Sequence, residues 1–284
     1  MKNGFLLDEL YVDNKEYPKD KSYVERFLYY KFQTDDIDAD VCKSTVNRYC
    51  QQYYFLKGAV VENQGSSANK YQIRSPIGVF RGETLVNCME LLKQIVNLFA
   101  DDNGCYTNAD IRDNKGLLLD NVFYKENEEL INEFVSYCYC SGNFLPIPYC
   151  KGKSLNRAKG RLYQPGYNSW LRDSSDIYLQ VLSDYFTEQY TGEKLTSYID
   201  ECDAYYEWKM RYLTKGSNEG VLRFIEEYHL RGFFEGAKPK VFWKLQDNPS
   251  GGIIEYMESV NRALGFRAFS VAVDEYYRNL LTWY

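Results

Sequence analysis

Lys151, Lys153, Arg157, Lys159 and Arg161 put five basic side chains within eleven residues, with Ser154 among them and no acid between. The segment that holds them, CSGNFLPIPYCKGKSLNRAKGR, is residues 140–161. Clustered guanidinium and ammonium groups bind phosphates through charge-assisted hydrogen bonds. A serine capping a helix would aim the first helical amides at the same anion. Gly152-Lys153-Ser154 has the ending of a nucleotide-binding P-loop, but the first glycine of that loop would fall at Ile147. Pro146 and Pro148 flank that position, and a proline has no amide to offer a phosphate. The segment is therefore an anion-site candidate without being a P-loop.

Other chemistries lack their parts. The chain has one histidine, His229, so a zinc motif that needs two histidines on one helix is excluded. A Ser-His-Asp triad would have to use His229, and no G-x-S-x-G turn presents a serine. With Glu226 nearby, His229 reads as a satisfied, half-buried histidine. Cys138, Cys140 and Cys150 lack paired CxxC knuckles, which argues against structural zinc. Asp35, Asp36, Asp38 and Asp40, and also Asp101, Asp102, Asp110 and Asp113, offer oxygen ligands, but neither run has calcium-loop spacing. Helix capping and solvation account for them, so no metal and no cofactor is expected.

Residues 184–228 carry ten acids, five bases and seven tyrosines. Carboxylates steer and pair with Arg and Lys, while tyrosine anchors an interface at low entropic cost. Tyr185, Tyr190, Tyr198, Asp200, Glu201, Asp203, Tyr205 and Tyr206 are the residues this reading selects for contact with a basic partner.

The elements that must position these groups are mostly helical. Helices are predicted over 19–32, about 41–56, 84–99, 126–139, from Asp173 to about Tyr190, 195–213 and 217–232. Two more follow, separated by a stop at Gly265. AVVE and YQIR, parted by a polar turn, predict a hairpin, and IGVFRG adds a short strand. KVFWKL at 240–245 predicts another strand. Residues 100–116 read as a polar loop. Regular βαβ alternation is missing, so the expected class is α+β, helix-dominated, with a small N-terminal antiparallel sheet packed on a helical body. No linker shows a shift in composition. One mixed domain over 1–284 is expected, with a soft division near 100–120.

The GNF-x-P-x-P turn at 142–148, followed by LNRAKGR and an acid-initiated helix in RDSSDIYLQVLSDYF, resembles an uncharacterised family of bacterial cytosolic proteins. The resemblance is best over 140–186 and looser over 70–265, and it implies no established activity. The same corner is fainter in its similarity to the tail of HNH-type nucleases. Those enzymes use histidines as base and metal ligand, and only the type of Asn143 and Asn156 matches here. Nuclease activity is not carried over.

The 284 residues carry a net charge of −6 and a pI near 5.1, with 28 tyrosines and 16 phenylalanines. An acidic chain does not suit general nucleic-acid binding and favours basic partners. No apolar run is long enough for a membrane span, no signal peptide is recognised, and a cytoplasmic location is expected. Most of the eight cysteines are expected to be reduced, half-buried thiols. The first functional reading is a non-enzymatic binding protein that docks on a basic protein partner and self-associates through the same aromatics. An inhibitor or accessory factor in bacterium–phage conflict fits that role. The second is an enzyme on a phosphorylated or nucleotide-like substrate, held by the 151–161 cluster, with Asp173 or Asp176 as base or metal ligand.

Overall fold

The structure, a computed structural model, describes residues 21–30, 43–63, 71–100, 104–138, 140–150, 153–154, 175–201, 205–242 and 249–281. Its class is helix-dominated α+β, as the sequence implies. The first half contains α1 (Tyr23–Tyr30), α2 (Lys43–Gln51), α3 (Cys88–Leu98), α4 (Asn108–Asp113), α5 (Gly116–Leu119), α6 (Val122–Glu126) and α7 (Glu128–Cys138). The second half contains α8 (Ser175–Phe186), α9 (Glu193–Asp200), α10 (Tyr206–Tyr212), α11 (Glu219–Glu227) and α12 (Pro249–Leu281).

The antiparallel sheet runs in chain order: β1 (Val60–Asn63), β2 (Tyr71–Ser75), β3 (Gly78–Thr84), β4 (Phe144–Cys150) and β5 (Lys153–Ser154). A separate two-stranded ribbon pairs β6 (Phe234–Glu235) with β7 (Lys238–Pro239). The predicted 240–245 strand is absent at residues 240–242, and the rest of it lies outside the described residues.

Of the GNF-x-P-x-P segment read as a turn, Gly142 and Asn143 do lie in one, but residues 144–148 belong to the strand β4, with Phe80 opposite Pro148 and Gly82 opposite Pro146. Prolines normally argue against an interior strand. Here they sit at alternate positions, so the amides they lack fall on one side of the strand. On the other flank, β5 pairs only with Tyr149 and Cys150. The ladder to β3 therefore loses nothing.

Gly265 does not end a helix, and α12 continues through it for 33 residues. A Cβ there would lie 3.3 Å from the Tyr137 ring, so the glycine serves the close approach of α7. The polar loop also contains order. Thr107 and Asp110 form a capping box that starts α4, which accounts for Asp110 without a metal. Asp113 pairs with Arg112. The 195–213 helix divides into α9 and α10.

The corner before β4 is the keystone of the fold. Asn143 is fully buried; its carbonyl oxygen Oδ1 accepts the Val86 amide at 2.7 Å, and its Nδ2 donates to the Val86 carbonyl. Gly142 lies against α12 so closely that a Cβ would come within 2.3 Å of the Leu264 carbonyl oxygen. From α12, the fully buried Arg267 donates to the carbonyls of Tyr228 (2.9 Å), Gly142 (2.5 Å) and Phe144 (2.8 Å), and to the Tyr53 hydroxyl (2.6 Å). Tyr53 in turn donates to the Phe144 carbonyl. Among the described residues no carboxylate pairs with Arg267, so its charge is solvated by these oxygen dipoles. One side chain thereby ties four segments of the chain together.

Candidate interaction surface

Most of the described tyrosines fill the core rather than the surface. Tyr228 packs on Phe224 (ring centroids 4.4 Å apart) and Phe55 (4.9 Å), with Tyr53 and Tyr212 about 6 Å away. Trp208 Nε1 donates to the Tyr228 hydroxyl at 3.0 Å, which satisfies two polar tips inside the cluster. Burial pushes the Tyr228 and Tyr212 phenols well above their ordinary range.

The residues selected for partner contact separate accordingly. Tyr185 is 5% exposed and Tyr205 is fully buried, so both are core residues and correct the reading that placed them on a surface. Tyr185 lies on the inner face of α8, and Tyr205 packs edge-on to Trp208. Burial raises the Tyr185 phenol too. Tyr190 is half-buried. Asp200 and Glu201 are exposed, and Asp200 forms an ion pair with Lys209. Tyr198 has its backbone in α9, but its side chain lies outside the described residues, as does Asp203. Tyr206 stands out at 60% exposed.

The short helix α10 explains why. Trp208 and Tyr212, four apart, form its buried stripe, and Tyr206 and Met210, also four apart, form the opposite one. Met210 is 54% exposed, and Glu207 beside it is exposed. The helix is held from behind by Glu227 of α11, whose carboxylate takes a two-pronged contact from Arg211 (Nε at 2.7 Å) and the Tyr212 hydroxyl at 2.6 Å. The carboxylate and the hydrogen bonds hold the Arg211 guanidinium firmly charged.

Four acids on this part of the surface are paired with bases. Asp200 pairs with Lys209, Glu227 with Arg211, Glu226 with Arg231, and Glu188 loosely with Lys215. Glu207 has no ion-pair or hydrogen-bond partner among the described residues. It forms one wall of a shallow cleft of about 380 Å³ whose other wall is the β2–β3 turn, Arg74 to Val79. Ser75 steadies that turn, its hydroxyl accepting the Ile77 amide and donating to the Gly78 carbonyl. Arg74 is neutralised by Glu62 at 2.5 Å, so Glu207 carries the unbalanced charge of the cleft.

The anion candidates are only partly placed. Lys153 and Ser154 form β5, opposite Cys150 and Tyr149. Ser154 is therefore placed in a strand, and the residues after it, where the expected helix would start, lie outside the described residues. Lys151, Arg157, Lys159 and Arg161 lie outside the described residues, as does Asp173. Asp176 is buried in the first turn of α8, and its Oδ2 accepts the Phe242 amide at 2.8 Å. That bond gives it a structural task. His229 follows α11 in a left-handed conformation (φ 55°), its ring edge-on to Tyr53 and 3.7 Å from the Asp274 carboxylate.

No group of three or more metal-ligating side chains converges among the described residues, and none of their helices is long and apolar enough to cross a membrane. Of the cysteines whose side chains are described, Cys50, Cys88, Cys105 and Cys140 form no disulfide. Comparison of the chain with protein-family models, with curated proteins and with solved structures finds no match.

Sequence reasoning missed Glu207 and Met210. The signal was present: two interleaved i, i+4 pairs in YYEWKMRY, Tyr206/Met210 and Trp208/Tyr212, of which only one can face a core.

Proposed function

We propose that this protein is a non-enzymatic cytoplasmic binding protein that docks on a basic protein through the outer face of α10. The observation that carries the reading is the row Tyr206, Glu207 and Met210: an aromatic, an uncompensated carboxylate and a thioether, all exposed on one short braced helix. An aromatic and a methionine supply buried contact area, and Glu207 supplies charge attraction to Lys or Arg. The Arg211–Glu227–Tyr212 brace supports this role, because a rigid face loses less entropy on binding. Glu207 beside the apolar Pro76-Ile77 turn suits one long basic side chain, its stem on the turn and its head on the carboxylate.

Cationic peptides titrated against the full chain at low salt test the reading. Tyr206→Ala should weaken binding by about 10- to 30-fold, the scale of an interface anchor. Glu207→Lys should weaken it further and reduce its salt dependence. Equal affinity in wild type and both variants would sink the proposal.

A further inference from the structure

On β3, Arg81 lies with its guanidinium carbon 3.7 Å from the centre of the Tyr149 ring. That is a close stack, and it holds the planar group in one orientation. The Arg81 Nε is buried and has no hydrogen-bond acceptor, and the rest of the guanidinium has no ion-pair or hydrogen-bond partner among the described residues. A half-buried guanidinium with unused donors is unusual, because its cost is normally met by a carboxylate or carbonyl. Arg267 in the same protein shows the contrast, with four oxygen acceptors.

Strand register adds a second observation. Arg81 is opposite Ile147 and Tyr149 is opposite Ser154, so alternation puts Arg81, Ile147 and Tyr149 on one face of the sheet. On the other side of β4, β5 sets Ser154 opposite Tyr149 and Lys153 opposite Cys150, so the strand beside Tyr149 carries a base. Arg81 is the positive charge on this face, and Glu83, two residues along on the same face, opposes an anion there.

We infer that Arg81, fixed by the Tyr149 ring, is the receptor of an oxoanion site for a phosphate group, either free or carried on a small molecule as a monoester. The fork of guanidinium donors matches two oxygens of a tetrahedral oxoanion, and the buried Nε is the donor such a ligand satisfies. The site uses no residue of α10 and does not rest on the binding role proposed above.

The experiment is thermal unfolding of the full chain with inorganic phosphate, with adenosine monophosphate, and with sodium chloride at matched ionic strength. At about ten times the dissociation constant, phosphate should raise the midpoint by about 2–4 °C over the chloride control. A larger effect of the nucleotide identifies a monoester as the ligand; equal effects identify free phosphate. Arg81→Gln should abolish the shift and Arg81→Lys should reduce it, since lysine keeps the charge and loses the fork. Glu83→Gln should enlarge it, an outcome that stays readable if the Arg81 variants fold poorly. Phosphate shifts no greater than chloride in the wild type, or undiminished in Arg81→Gln, would overturn the inference.

Discussion

Replacing Arg267 with methionine keeps much of the side-chain volume and removes every donor. In the native fold that side chain gives four hydrogen bonds, to Tyr228 O, Gly142 O, Phe144 O and the Tyr53 hydroxyl. After substitution the Phe144 carbonyl still accepts from Tyr53. The Tyr228 and Gly142 carbonyls lose the Arg267 donor, and an orphaned buried acceptor costs about 1–3 kcal/mol. Two of them give about 2–6 kcal/mol, and relief of a buried charge offsets part of this. The expected net loss is about 3 kcal/mol, a large fraction of the ~5–15 kcal/mol that holds a typical domain. Burial raises the Tyr53 phenol while the Arg267 charge pulls it down, so the variant should also push that phenol higher. Urea unfolding followed by tryptophan fluorescence measures the first effect. With a slope of about 3 kcal/mol/M the midpoint should fall by about 1 M, and Arg267→Lys should lie in between. A midpoint unchanged within about 0.2 M would refute the keystone role assigned to this residue.

Four further outcomes are expected. Gly142→Ala should destabilise severely or prevent folding, because its Cβ would meet the Leu264 carbonyl at 2.3 Å and neither backbone can yield; soluble yield and circular dichroism check this. Glu188, exposed at φ 57° just past α8, occupies a left-handed position that glycine adopts freely, so Glu188→Gly should stabilise by about 1 kcal/mol, read from the urea midpoint. Burial pushes the Cys50 thiol from an ordinary 9.0 up to about 11, and the Tyr53, Tyr212 and Tyr228 phenols also upward from 10.0. Because these groups fold in their neutral form, their contribution is whole below the unfolded values and is lost as pH rises from about 9 through 11, so phenolate absorbance and unfolding should appear together. Among the four cysteines whose side chains are described, exposed Cys105 should alkylate first at pH 8, with Cys50, Cys88 and Cys140 protected until unfolding; peptide mapping by mass spectrometry reports the order.

Much of the framework was legible because periodicity reports burial. The α3 stripe and the β1–β2 hairpin follow directly from the spacing of their apolar residues. The failures have physical causes. Pro146 and Pro148 hid β4, because proline is tolerated in a strand only when its missing amide faces away from the ladder, and sequence does not reveal which way it faces. Gly265 read as a helix end because glycine also marks close approach, which only the Tyr137 ring discloses. Tyr185 and Tyr205 were assigned to the surface because tyrosine suits both core and interface; neighbours such as Trp208 decide which. Arg267 could not be singled out at all, since its acceptors lie 39 to 214 residues away in the chain.

The central claim, that α10 presents the docking face, is tested most directly by a photo-crosslinking amino acid placed at Met210 and, as control, at exposed Lys125 on α6. Irradiation in cells followed by mass spectrometry should give a basic protein joined at position 210 and not at 125, with the adduct lost when Glu207 is changed to Lys. Adducts equal at the two positions, or unaffected by Glu207→Lys, would contradict it.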